Sequence, residues 1–237
     1  MRTIHALALA VDAKDNYTRN HSERVALYAT ALAVRIGLEV EQVERIAIAG
    51  TLHDVGKIAV PDRVRLKPAD LTEDEVSLVQ THCIEGERML CSLGMAEIGI
   101  WIRHHHERWD GEGYPDGLAG ERIPLPSRIL GVADAMDAMT TARAYREALS
   151  LEQATEELLT EAGRQFDPQI AECLVELLDE GTLTLSEERR VVTSFEIASG
   201  ARRELDSDEH RRIRQALFAS GERRRSADPR ISVASSI

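Results

Sequence analysis

The sequence predicts an all-α fold, a bundle of helices, and three observations carry that reading. Apolar residues recur at spacings of three and four through most of residues 21–178. Helix-start signals stand at Thr72-Glu73-Asp74-Glu75, at Ser150-Leu151-Glu152-Gln153 and at Asp167-Pro168. Alternating runs of β-branched and polar residues are nearly absent.

Taken in order, residues 3–13 are Ala- and Leu-rich and read as a helix. Val25, Tyr28, Leu32 and Ile36 form one apolar face of a helix from His21, which Gly37 ends. Val40, Val43, Ile46 and Ala47 begin a helix that runs into Leu52-His53-Asp54. Gly56 then permits a tight turn through positive φ. Pro61 and Pro68 bracket a loop. The helix capped by Thr72 carries Val76, Val79 and His82, a further one covers about 84–91, and 95–105 ends in His104-His105-His106. The glycine-dense stretch from Trp109 to Ser127 is an ordered loop of the length that usually serves function. Pro126-Ser127 opens a helix carrying Ile129, Val132, Ala133 and Met136. Asp167-Pro168 starts one that reaches about Leu178. Beyond 180 the pattern weakens: Thr182 to Ile197 reads as strand or helix, Asp206 to Ala219 as helix, and the Arg- and Ser-rich end as disorder.

The bulk properties narrow the function classes. The chain has 237 residues, 43% hydrophobic and 30% charged, the composition of a soluble globular protein. No apolar run approaches the roughly 18–20 residues that span a bilayer, and the first residues lack a signal-peptide pattern, so a cytoplasmic protein without membrane contact is expected. A net charge of −12 disfavours nucleic-acid binding but not a small anionic substrate held through cations. Cys83, Cys91 and Cys173 show no CxxC spacing and read as free thiols, not as a disulfide framework or a thiolate zinc site.

The chemistry concentrates in His21, His53, Asp54, His82, His105, His106 and Asp134. Imidazoles and carboxylates without sulfur suit Fe, Mn, Zn or Ni. One octahedral ion cannot use all of them, so two ions are expected, with Asp54 as the bridge. His21, His53, Asp54 and Asp134 would serve one ion, and Asp54, His82, His105 and His106 the other. A hydroxide shared by two such cations attacks phosphorus, which is two-metal phosphoester hydrolysis. Asp134, on an otherwise apolar helix, would be costly to bury without such a partner. His5, His104 and His210 are expected outside the centre.

These residues resemble the HD superfamily of metal-dependent phosphohydrolases, through His21, His53-Asp54 and Asp134. His82, His105-His106-Glu107 and Gly113-Tyr114-Pro115 make the chain similar to the HD-GYP domain family. The matching stretches run from about residue 5 to 180 and include Arg143-Ala144-Tyr145-Arg146 and Phe166-Asp167-Pro168. The resemblance implies an HD-type helical bundle with two or three Fe or Mn ions. It also implies hydrolysis of the bacterial second messenger cyclic di-GMP to linear pGpG or GMP. Carried over by residue, the seven donors match metal positions and Asp54 and Lys57 match catalytic ones. Lys57, Arg143 and Arg146 match positions that handle phosphate, Tyr114 is available for packing or a base contact, and the glycine loop resembles a docking surface for diguanylate cyclase domains. Tyr17 stands where some members have Glu for a third metal, so two divalent ions, Fe or Mn, and accumulation of pGpG are expected. The expected organisation is a catalytic domain over 1–180 and a partly helical extension over 181–237, with a homodimer compatible. The alternatives are a phosphohydrolase for another nucleotide and an inactive cyclic-dinucleotide-binding or interaction module.

Overall fold

The computed structural model describes residues 21–142, 147–181 and 183. Nine α-helices are present among them: α1 (His21–Arg35), α2 (Val40–Leu52), α3 (Asp62–Arg65), α4 (Glu73–Gln80), α5 (His82–Ser92), α6 (Ala96–Arg103), α7 (Leu125–Thr140), α8 (Leu151–Thr160) and α9 (Pro168–Asp179). Short 3₁₀ helices cover Val55–Ala59 and Gly120–Arg122. Among the described residues there is no strand, only an isolated bridge between Ala162 and Phe166, so the all-α expectation holds. No helix among them is long and apolar enough to cross a membrane.

Local chemistry explains most boundaries. Gly37 adopts φ 75°, and the Gly37 and Leu38 amides donate to the Val34 and Ala33 carbonyls, so α1 turns into α2 through a left-handed cap. Both expected capping boxes form. The Glu75 amide donates to Thr72 Oγ1 at 3.3 Å while the Thr72 amide donates to Glu75 at 2.9 Å. Ser150 and Gln153 repeat the pair at 3.2 and 3.0 Å. Asp167 caps α9, accepting from the Gln169 amide at 2.9 Å.

Several expectations are corrected. The helix capped by Thr72 stops at Gln80, and His82 opens the next one. The Thr81 hydroxyl and His82 Nδ1 take the Leu78 and Val79 carbonyls, so side chains replace the next rungs of the helical ladder. For the same reason α6 ends at Arg103 rather than 105: the rings of His104 and His105 take the carbonyls of Ile100 and Ile102. Between Pro61 and Pro68 the chain is not all loop, because α3 forms there to bury Val64 against Val60 and Val79. Gly56 is not needed for positive φ. A Cβ there would lie 1.9 Å from the His82 carbonyl oxygen, so the glycine permits the 3₁₀ turn to press against the start of α5. Residues 3–13 and those beyond Leu183, which carried the remaining expectations, lie outside the described residues.

The core joins α1, α2, α6, α7, α8 and α9, with Leu32, Ile46, Ile102, Leu130, Met136 and Leu174 at most 0% exposed. Packing α1 against both α2 and α7, and α5 against α6, brings five chain segments to one place: the start of α1, the end of α2, the start of α5, the turn after α6 and the middle of α7. Leu183, three residues beyond the expected domain end, is 8% exposed and part of this core.

Candidate metal centre

Those five segments carry the seven donors, and the fold brings all seven together. His21 Nε2 lies 3.2 Å from His53 Nε2, 3.4 Å from Asp134 and 3.8 Å from Asp54. His53 Nε2 is 3.5 Å from Asp54, and His82 Nε2 reaches the other oxygen of the same carboxylate, also at 3.5 Å. The ring of His105 is 5.3 Å from that of His53 and 5.4 Å from that of His82, and His106 lies 4.0 Å from His105. Asp54 thus sits between the histidines of one side and those of the other, where a shared ligand would stand. His21, His53, Asp54, His82, His105 and Asp134 are all buried.

Four of the five rings are held by their far nitrogens. His53, His82 and His105 each meet the carbonyl three residues back, of Gly50, Val79 and Ile102, through Nδ1 at 2.8, 2.8 and 2.5 Å. A carbonyl only accepts, so Nδ1 carries the hydrogen and Nε2 of the neutral ring presents its lone pair to the centre. His21 does the same through Asp137, at 2.7 Å. His105 Nε2 is buried and has no hydrogen-bond partner. A buried nitrogen in that state is expensive unless a cation uses it, and the surrounding donor set fits one.

Electrostatics favour the ligand forms. Burial pushes His82 down to about 4 and, with the neighbouring imidazoles, holds His105 and His106 well below the usual histidine range. Burial opposes the charge on Asp54, but Lys57 and the three nearby histidines outweigh it and keep the carboxyl far below the usual range. Burial also opposes charge on His21, yet the Asp137 hydrogen bond and the carboxylates of Asp134, Asp137 and Asp54 raise it overall.

Lys57 donates to Asp54 at 2.8 Å, so the expected phosphate-handling cation is also a partner of the central carboxylate. Tyr114 packs rather than reaching outward: its ring stacks on His106 at 4.9 Å and 28°. His104 turns away from the centre, as expected, with its nitrogens on the Ile100 carbonyl and on Asp116 at 2.9 and 2.8 Å. Tyr17, Arg143 and Arg146 lie outside the described residues.

Sequence reasoning gave no role to Asp137, Arg24 and Glu107. Asp137, 1% exposed, accepts from Arg24 as well as from His21. Its signal was its place one turn beyond Asp134, as Arg24 lies one turn beyond His21. Glu107 accepts from the Asp116 and Leu118 amides at 2.7 and 3.0 Å and pins the glycine loop to the histidine turn. The loop also depends on Gly113, where a Cβ would lie 2.3 Å from the Arg108 nitrogen. A cavity of about 160 Å³ opens along this loop, lined by His105, His106 and Asp134 of the centre and by Trp109, Arg128 and Gln165.

Comparison with known proteins agrees with this geometry. The HD domain family model matches residues 6–170. Over 176 residues, 73% of this chain and 47% of the relative, the sequence is 43% identical to the cyclic di-GMP phosphodiesterase response regulator RpfG of Xanthomonas campestris pv. campestris. It is 39% identical over 180 residues, 75% of this chain and 34% of the relative, to 3′3′-cGAMP-specific phosphodiesterase 2 of Vibrio cholerae. The chain therefore spans half or less of the length of these two relatives. In fold it resembles the crystal structure of a cyclic GMP-AMP-specific phosphodiesterase of V. cholerae, with a TM-score of 0.64 and 19% identity, covering 91% of this chain and 58% of that one. With its donors converged and Gly113-Tyr114-Pro115 on the loop that covers them, the chain belongs to the HD superfamily of phosphohydrolases, in its HD-GYP branch.

Proposed function

We propose that this chain is a metal-dependent phosphodiesterase that hydrolyses cyclic di-GMP to linear pGpG. The observation that carries the reading is the buried, unpartnered Nε2 of His105 among the other converged donors. The family implies divalent metal, and the donor set supports two ions, iron or manganese. His21, His53, Asp54 and Asp134 would hold one ion, and Asp54, His82, His105 and His106 the other. When bound, such ions supply Lewis acidity at a phosphoryl oxygen and an acidified water for attack at phosphorus.

The chain's own groups do the rest. Asp54 joins the two halves, and its lowered protonation keeps it a carboxylate at any working pH. Lys57, beside it, offers an ammonium to a phosphate oxygen. Tyr114 walls the site by stacking on His106, and Arg143 and Arg146, by the family resemblance, are further cations for substrate phosphate. A cavity of about 160 Å³ suits one phosphodiester and its sugar, with the bases lying along the loop and outside it. The Gly113-Tyr114-Pro115 loop, with Glu112, Asp116 and Gly117 exposed beside it, is the surface we assign to diguanylate cyclase domains. The tyrosine at position 17 supports two ions rather than three and hence release of pGpG. The free cysteines suit a reducing, cytoplasmic setting. The catalytic unit is taken to reach Leu183.

A second reading is a preference for 3′3′-cGAMP, favoured by the relative of that specificity at 39% identity. The test is turnover of a panel by the manganese- or iron-loaded protein, with products separated by chromatography over time. Cyclic di-GMP is expected to be consumed at least about tenfold faster than 3′3′-cGAMP or cyclic di-AMP, with pGpG accumulating; tenfold is about 1.4 kcal/mol of discrimination. Faster use of 3′3′-cGAMP would establish the second reading, and binding without turnover would make the chain an interaction module.

A further inference from the structure

The start of α5 carries one donor beyond those counted above. Cys83 follows His82 and is 0% exposed. Its sulfur lies 3.5 Å from His82 Nε2, and within 4.8 Å of a ring nitrogen of His105 and of His106. The other buried cysteine, Cys173, belongs to the large apolar core, whereas Cys83 belongs to neither apolar cluster. A thiol serving only as a small filler would sit among apolar side chains. This one faces imidazoles.

His105 supplies a second pointer. Its Nδ1 is fixed on the Ile102 carbonyl, so its unpartnered Nε2 cannot swing away from the group it shares with Cys83. The spacing also fits. With a metal–sulfur bond of about 2.3 Å and a metal–nitrogen bond of about 2.1 Å, sulfur and nitrogen on one ion stand roughly 3.1–3.6 Å apart, the range from a right angle to a tetrahedral one. Cys83 and His82 stand 3.5 Å apart.

We propose that Cys83 is a sulfur ligand of the metal centre, joining His82, His105 and His106 on the ion that Asp54 shares. The inference rests on the metal-dependent reading above and deepens it. On ligation the thiol gives its proton to solvent and the thiolate donates an electron pair to the cation, with no change of oxidation state. The two metal positions then differ. The one on Cys83 is the softer, and takes iron, cobalt or zinc ahead of manganese.

The experiment uses the full chain, stripped with a chelator and refilled with Co²⁺. A sulfur-to-cobalt charge-transfer band in the near ultraviolet is expected, with a sulfur neighbour about 2.3 Å from the ion by X-ray absorption. Cys83→Ser and Cys83→Ala should lose both signals and bind this cobalt at least about tenfold more weakly in chelator competition, with unchanged circular dichroism. Cys91→Ser and Cys173→Ser should keep both. Bound cobalt with only nitrogen and oxygen neighbours would overturn the ligand assignment and leave the metal-dependent reading intact. A sulfur signal that follows Cys91 or Cys173 would also overturn it. Failure to bind any cobalt would overturn both. Should the Cys83 variants not fold, the Cys91→Ser/Cys173→Ser double variant decides alone, since Cys83 is then the only thiol left.

Discussion

Four of the five histidines of the centre are fixed by hydrogen bonds to groups outside it. Three rings lean on backbone carbonyls, which no side-chain substitution can remove. His21 depends instead on Asp137, which Arg24 in turn holds. That makes Asp137 the most exposed weakness in the orienting shell. Asp137→Asn keeps the shape but loses the charge that supports the His21 N–H and that pairs with Arg24. The expected result is a metal affinity about 10–100-fold lower, measured by chelator competition, with little change in helix content. Unchanged affinity would mean that the core packing around α1 orients His21 without help. Asp137 was hidden in the sequence because its role exists only where α1 meets α7, 116 positions apart in pairing with His21. The seven side chains that converge were legible as residue types. Which nitrogen each presents, and that Cys83 stands among them, depends on ring orientations that only packing sets.

Two helices end in the centre on a histidine-bearing turn: α2 at His53 and α6 at His104 to His106. A helix C-terminus carries partial negative charge, so both ends favour a cation in the space they face. The His53 and His105 rings cap those ends at the same time, taking carbonyls that would otherwise lack partners. One device therefore terminates the helix, selects the tautomer and aims the ligand. Helices started by capping boxes were legible, because Thr72 and Ser150 act on their own neighbours. The break between α4 and α5 was not, because nothing in the apolar periodicity marks side chains that take over carbonyls. The contact of Gly56 with α5 is the element-scale dependency to test. Gly56→Ala would set a methyl against the backbone of His82, which cannot move aside as a side-chain tip could. Relief requires the 3₁₀ turn and the start of α5 to separate, carrying Asp54 and His82 apart. A loss of about 1–3 kcal/mol of stability is expected, with metal content reduced, read by thermal denaturation and elemental analysis. A variant with native melting and full metal content would show that α5 can shift without cost.

At the scale of the molecule, the centre stores a cost that pH should reveal. His82, His105 and His106 are held neutral by burial, His82 down to about 4, while an unfolded histidine has its usual value near 6.5. Above about pH 6.5 both states are neutral and these three contribute nothing to the pH dependence. As pH falls from about 6.5 towards 4, the unfolded chain takes up protons that the folded one refuses, so the folded state loses stability. For His82 alone the loss at pH 5 is on the order of 2 kcal/mol. His21 has the opposite sign: raised in the folded state, it adds stability below 6.5 that is lost as pH rises. Three groups against one leaves a net loss with acid. Asp54 enters only lower, since its carboxyl is lowered and its contribution holds above the unfolded carboxylate value of about 3.8. The chelated protein should therefore melt several degrees lower at pH 5 than at pH 7.5, at about 2–4 °C per kcal/mol for a chain of this size. The metal-loaded protein should lose more over the same range, because protons also compete with the ions for the imidazoles. A chelated protein whose melting temperature is flat or rises towards pH 5 would mean that the histidines accept protons inside the fold. The centre would then be open to water before any ion enters it.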